Sequence, residues 1–118
     1  MIKLKRVYDK YSSEDGFRIL VDRLWPRGVS KEKAHIDLWL KEIAPSDELR
    51  KWFSHDPERW EEFAKRYFRE LKDHSDVVRG LKDILRKNKT VTFVYSAKDK
   101  ERNNAITLNE FLRRAQNS

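Results

Sequence analysis

Gly16-Phe17-Arg18-Ile19-Leu20-Val21-Asp22-Arg23-Leu24-Trp25-Pro26-Arg27-Gly28 is the stretch that decides the fold. Residues 17–22 alternate along an extended chain. Phe17, Ile19 and Val21 point to one face, and Arg18, Leu20 and Asp22 to the other. Pro26 lacks a ladder donor and Gly28 permits a turn, so the strand stops between Asp22 and Gly28. An apolar strand that ends abruptly in two arginines, a tryptophan and a proline is a core strand delivering functional groups at its carboxyl end.

Working outward, Ile2, Leu4 and Val7 mark an earlier short strand with Lys3 and Lys5 turned outward. Residues 9–16 (DKYSSEDG) form a polar loop closed by Gly16. Far downstream, Thr90-Val91-Thr92-Phe93-Val94-Tyr95 is β-branched and aromatic throughout, the strongest strand signal in the chain. Helical patterns lie between. Ser30 caps a short helix over 31–34, and Ser46, followed by Asp47 and Glu48, starts one running to about Phe53. Asp56-Pro57 opens the next, whose Trp60, Phe63, Ala64, Tyr67, Phe68 and Leu71 recur at helical spacing as a core face. Ser75 is the expected cap of a helix carrying Val77, Val78, Leu81, Ile84 and Leu85, with Asn88 at its end. A last helix, from about Arg102 to Ala115, presents Ala105, Leu108, Phe111 and Leu112. Residues 36–44 fit either a helix or an extended run. Strands separated by helices predict the α/β class: a small, mostly parallel central sheet flanked by helices, with a helical insertion between the second strand region and the last strand.

The 118 residues are enough for one domain spanning 1–118 and one core, supplied by four Trp, six Phe and many aliphatic residues. There is no cysteine, which excludes disulfides, thiolate metal sites and a cysteine nucleophile. His35, His55 and His74 have no metal-like spacing, so no metal and no cofactor is expected. Met1–Arg6 contains no apolar signal region and no run approaches a membrane span, so the cytoplasm is the expected location and no membrane partner is expected. Net charge is +7, with the excess in the second half, notably Lys82 to Lys100. A positive field favours anionic partners, and it also serves plain solubility.

Ligands of parallel sheets bind beyond the carboxyl ends of the strands. That rule singles out two loops. In the first, Arg23 and Arg27 offer planar donor forks suited to phosphate or carboxylate. Trp25 can stack on a ring or plug the core edge. Asp22 can orient an arginine, act as a base or cap a turn, and its structural alternative is an ion pair with Arg18 or Arg23. In the second, Tyr95-Ser96-Ala97-Lys98-Asp99, Ser96 and Lys98 add a hydroxyl and a charge, and Ser96 or Asp99 can instead cap the last helix. Arg6, at the end of the first strand, adds a further cation. No Ser/His/Asp set can be placed by sequence order, and no catalytic residue is assigned.

The residues Lys5-Arg6-Val7-Tyr8-Asp9, Gly16 through Gly28, Trp39-Leu40-Lys41-Glu42-Ile43-Ala44-Pro45-Ser46, Glu48-Leu49-Arg50 and Tyr95-Ser96-Ala97-Lys98 resemble the bacterial and archaeal YeaO-like family, domain of unknown function 488. The likeness covers nearly the whole chain. It implies that both candidate loops belong to family motifs, and it carries no mechanism. Longer relatives resemble this chain but carry Cys and a His-Arg pair after the last strand, where residues 98–104 here have neither.

Three functions are therefore open. The first is binding of a small anion, phosphorylated or nucleotide-like, by Arg6, Asp22, Arg23, Trp25, Arg27, Ser96 and Lys98 in a pocket between the two loops. The second is a nucleic-acid-associated or regulatory binding role without catalysis. It is disfavoured because acids (Glu61, Glu62, Glu70, Asp73, Asp76, Asp83) interleave the basic residues and no short Gly-containing helix-turn-helix connection is present. The third is a structural or interaction role for the arginines. Oligomeric state is left open.

Overall fold

The computed structural model describes residues 1–116. Four strands form one sheet in the order β1-β4-β2-β3: β1 (Ile2–Arg6), β2 (Phe17–Leu20), β3 (Leu38–Trp39) and β4 (Val91–Tyr95). Every pairing is parallel. The α/β class holds, and the sheet is wholly parallel. β4 is the centre: its Phe93 lies beside Leu4 of β1 and Ile19 of β2. All five of its residues are buried.

Five helices complete the fold: α1 (Lys31–Ala34), α2 (Asp47–Phe53), α3 (Trp60–Asp73), α4 (Ser75–Lys87) and α5 (Asn104–Gln116). One sheet face carries Ile19, Val21, Val91, Phe93 and Tyr95 into the main core, against Leu49 and Phe53 of α2, Phe63, Tyr67 and Leu71 of α3, Leu81 of α4 and Leu108 of α5. The stripe expected on α3 is thus the core face. The other sheet face holds a smaller cluster, Val7, Leu20, Ala34 and Val94, covered by Trp25, Val29, Ile36 and Trp39.

Local signals explain the element ends. Ser30 and Ser46 accept the N–H groups of Lys33 and Leu49 at 3.1 Å and cap α1 and α2. Glu70 of α3 accepts from both the N–H and the hydroxyl of Ser46, at 2.8 and 2.6 Å, and so ties α3 to the start of α2. Tyr67 donates to the Ile43 carbonyl at 2.7 Å, and burial pushes its phenol well up.

Several expectations are corrected. The second strand ends at Leu20, and Val21 donates one further bond to the Val94 carbonyl, so the alternation does not reach Asp22. Residues 36–44 split: Leu38–Trp39 become an edge strand and Lys41–Ile43 a 3₁₀ turn. Asp56-Pro57 opens a 3₁₀ turn, Pro57–Arg59, and α3 begins at Trp60. Ser75 is the first residue of α4 and the cap position belongs to His74, whose side chain makes no capping bond. Neither Ser96 nor Asp99 caps α5. Asn103 does, accepting the Ile106 N–H at 3.0 Å, while Asp99 accepts the N–H groups of Glu101 and Arg102 in the preceding loop.

Because β4 lies between β1 and β2, residues 7–16 must carry the chain back across the sheet. They do so on the face opposite the large helices, where Thr92 donates its hydroxyl to the Asp15 carbonyl at 2.7 Å. Arg18 lies buried beneath them. Its guanidinium meets Asp15 Oδ2 at 2.6 Å and donates to the Ala34 and His35 carbonyls at 2.9 and 3.0 Å. Lys5 and the Ser12 N–H complete the shell around the same carboxylate, at 3.1 and 3.2 Å. Burial pushes the Asp15 carboxyl up, but the Ser12 N–H, Lys5 and Arg18 outweigh it and leave the pKa below the ordinary value. No helix among the described residues is long and apolar enough to cross a membrane.

Candidate functional site

The turn after β2 and the loop after β4 meet at the carboxyl end of the sheet. Asp22 joins them. Its Oδ2 accepts both the N–H and the hydroxyl of Ser96, at 2.9 and 2.7 Å, and its Oδ1 accepts Asn104 Nδ2 at 3.1 Å. Neither arginine pairs with it. Arg18 belongs to Asp15, and Arg23 donates to the Pro45 and Ala44 carbonyls, both at 3.0 Å. The Asp22–arginine ion pair, the structural alternative for this residue, does not form, and the carboxylate is instead a latch between two loops. Both oxygens of Asp22 accept hydrogen bonds from within the chain.

A cleft of about 540 Å³ opens beside this latch. Asp22, Arg23, Trp25, Arg27 and Ser96 line it, together with Leu24, Pro26, Pro45 and Ala97. Trp25 serves two surfaces. Its indole donates to the Val29 carbonyl at 2.7 Å and meets Trp39 edge-on, and one side faces the cleft. Of the seven residues expected to bind, Arg6 and Lys98 lie outside the lining. Arg6 is drawn under the loop, donating to the carbonyls of Ala97 and Ser96 at 2.8 and 3.4 Å, and Lys98 is exposed.

The sequence missed the opposite wall. Arg50, Lys51, Ser54 and His55 come from the end of α2, and Arg102, Asn103 and Asn104 from the approach to α5. As sequence, Arg50 and Lys51 are ordinary last-turn cations facing a helix dipole. Only the backbone carries a signal: Ser54 and His55 are consecutive non-glycine residues at positive φ, 45° and 56°, a conformation that clusters where structure is held for function. The lining thus contains five cationic side chains (Arg23, Arg27, Arg50, Lys51 and Arg102) and one carboxylate, itself engaged. The Arg27 and Lys51 side chains have no hydrogen bond or ion pair with any described residue. Arg50 contacts Asp47 at 3.2 Å, and its Nε is buried without a partner among the described residues. No group of three or more His, Cys, Asp and Glu residues among the described ones is placed to hold a metal.

Replacing Asp22 by alanine strands the Ser96 N–H and its hydroxyl, while Asn104 keeps its bond to the Val21 carbonyl. Losing these charge-assisted bonds is expected to cost about 2–3 kcal/mol in denaturant unfolding. Asp22→Asn, which keeps one acceptor, should cost less.

Comparison with known proteins places these residues in a family. The model of the inactive DUF488-N3 subclade matches residues 1–118. The uncharacterized protein YeaO of Escherichia coli is 46% identical over 112 residues, 95% of this chain and 96% of the relative. The uncharacterized protein Rv3073c of Mycobacterium tuberculosis is 40% identical over 111 residues, 94% and 92% of the two chains. No solved structure matches.

Proposed function

This chain belongs to the YeaO-like DUF488 family, and from that footing we propose that it binds a small phosphorylated anion in the cleft between the β2 and β4 loops, without turning it over. The observation that carries this reading is the cationic lining: five cations meet one occupied carboxylate, and although Arg50 and Arg102 each pair with an acid outside the lining, Asp47 and Asp99, the Arg27 and Lys51 side chains have no partner among the described residues. An unmatched buried donor such as Arg50 Nε costs free energy that an anion would recover. The occupied Asp22 and the family's description as inactive both support binding over chemistry.

Nucleic-acid binding draws less support. On α3, α4 and α5, Arg66, Arg79, Arg86, Arg113 and Arg114 each lie within 4 Å of an acid one turn away (Glu62, Asp76, Asp83 and, for the last two, Glu110), which leaves the exposed Lys65, Arg69 and Lys72 of α3 as a short row of three cations without an ion pair among the described residues.

Titration calorimetry with ribose 5-phosphate tests the reading. Saturable binding is expected, weakened about tenfold by Arg27→Gln, the worth of one charge-assisted bond. The melting temperature should change little, because that exposed side chain makes no hydrogen bond or ion pair with any described residue. Heats that never saturate, or a wild-type affinity in Arg27→Gln, lead to rejection. Tight, steeply salt-dependent retention of DNA or RNA would favour the nucleic-acid reading instead.

A further inference from the structure

Tyr8 stands at the rim of the cleft, just past the end of β1. Two large apolar side chains in this lining are well exposed, Tyr8 at 49% and Leu24 at 57%. The tyrosine is exposed without being free to turn. Its hydroxyl donates to the Arg27 carbonyl at 3.0 Å, and the Arg6 guanidinium sits 5.0 Å from its ring centroid. Arg6 is itself held by the Ala97 and Ser96 carbonyls. Its absence from the cleft lining thus acquires a purpose: it backs the ring.

We propose that Tyr8 is a stacking platform for the base of a nucleoside monophosphate whose phosphate meets the cleft cations. The inference rests on the phosphate reading above and narrows it to one ligand class. A bare phosphate has no use for an aromatic shelf, and a single ribose offers it far less flat surface than a base does. A protein surface that keeps a tyrosine ring in water, anchored at its hydroxyl and packed by a cation, matches the way single bases are held on aromatic side chains. The hydroxyl anchor ties the ring to Arg27, so the shelf and an unpartnered cation belong to one rim. The volume, about 540 Å³, lies within the roughly 300–1,000 Å³ of small-molecule sites. Leu24, also exposed, adds apolar surface to the same cleft lining.

The test compares adenosine 5′-monophosphate with ribose 5-phosphate by calorimetry on the intact chain. The nucleotide is expected to bind about tenfold more tightly, the low-to-middle range for stacking one base. Tyr8→Ala should erase that preference, so that the two affinities converge, while an unchanged melting temperature and a saturable ribose 5-phosphate isotherm show that the variant is folded and its cleft still binds. Tyr8→Phe, which keeps the ring and loses the anchor, should retain most of it. Equal binding of the two ligands by the wild type overturns the platform and leaves the phosphate reading standing. Failure of both ligands to bind overturns the phosphate reading itself. A preference that survives in Tyr8→Ala, or that vanishes equally in Tyr8→Phe, overturns the stacking role of the ring.

Discussion

Gly16→Ala is expected to destabilise the protein by about 4 kcal/mol, seen as a fall of about 15 °C in melting temperature. Gly16 has φ +67° and ψ −136°, a region that only glycine occupies without strain. Space is closed as well. A Cβ at this position would lie 2.2 Å from the Thr90 carbonyl oxygen and 2.9 Å from the Thr90 Cβ. Neither neighbour can retreat, because that carbonyl accepts the Phe17 N–H at 3.0 Å and starts the β2–β4 ladder. Backbone strain and overpacking therefore add at one site. Gly28→Ala is the control. It has φ +73° but no atom within 4 Å of the added carbon, so it should cost only about 1 kcal/mol. Equal losses at the two glycines would show that the close approach to Thr90 is not the cause.

Arg18→Met should cost about 3–5 kcal/mol, the range for removing one partner of a buried pair. Arg18 is 1% exposed. The substitution keeps the aliphatic stem, abandons the carbonyls of Ala34 and His35, and leaves Asp15 with Lys5 as its one charged partner. A pH dependence accompanies it. The folded pKa of Asp15 is below its unfolded value, so its contribution is present above about pH 4 and is lost as pH falls through the folded pKa. In Arg18→Met the carboxyl loses one of the groups that lower its pKa, so the acid-dependent loss should be smaller and complete at a higher pH than in the wild type. Asp15→Asn should flatten this part of the profile. Denaturant midpoints between pH 2.5 and 7 check all three chains. A midpoint for Arg18→Met within about 1 kcal/mol of the wild type would show that the pair is not integral to the fold.

The same two positions show where sequence reading runs out. Alternation placed Ile19 and Val21 opposite Arg18 and Leu20, and the two cores divide that way. The caps at Ser30 and Ser46 were legible because capping is local. The burial of Arg18 was not, since it depends on a polar loop folding back over the strand, and nothing in DKYSSEDG announces that. Edge strand β3 was undecided because two residues carry too little periodicity. At the cleft, the two loop motifs could be read from strand ends and arginine density. Arg50, Lys51 and Arg102 could not, because only tertiary packing brings the end of α2 and the approach to α5 to the same opening. Arg6 was placed as a ligand contact by its charge, whereas its bonds to two carbonyls give it a supporting position.

The central place of β4 also sets an order of events on the ribosome. Within residues 1–90, β1 has no strand beside it, and β2 has only the two-residue β3. Neither pairing can support a sheet, and most of the helical layer has no surface to pack on until Val91–Tyr95 arrives. The nascent chain therefore emerges with helical segments that are marginal on their own and with their scaffold missing. Folding of these residues waits for β4, and premature termination before residue 91 should release an unfolded, protease-sensitive fragment instead of a smaller stable unit.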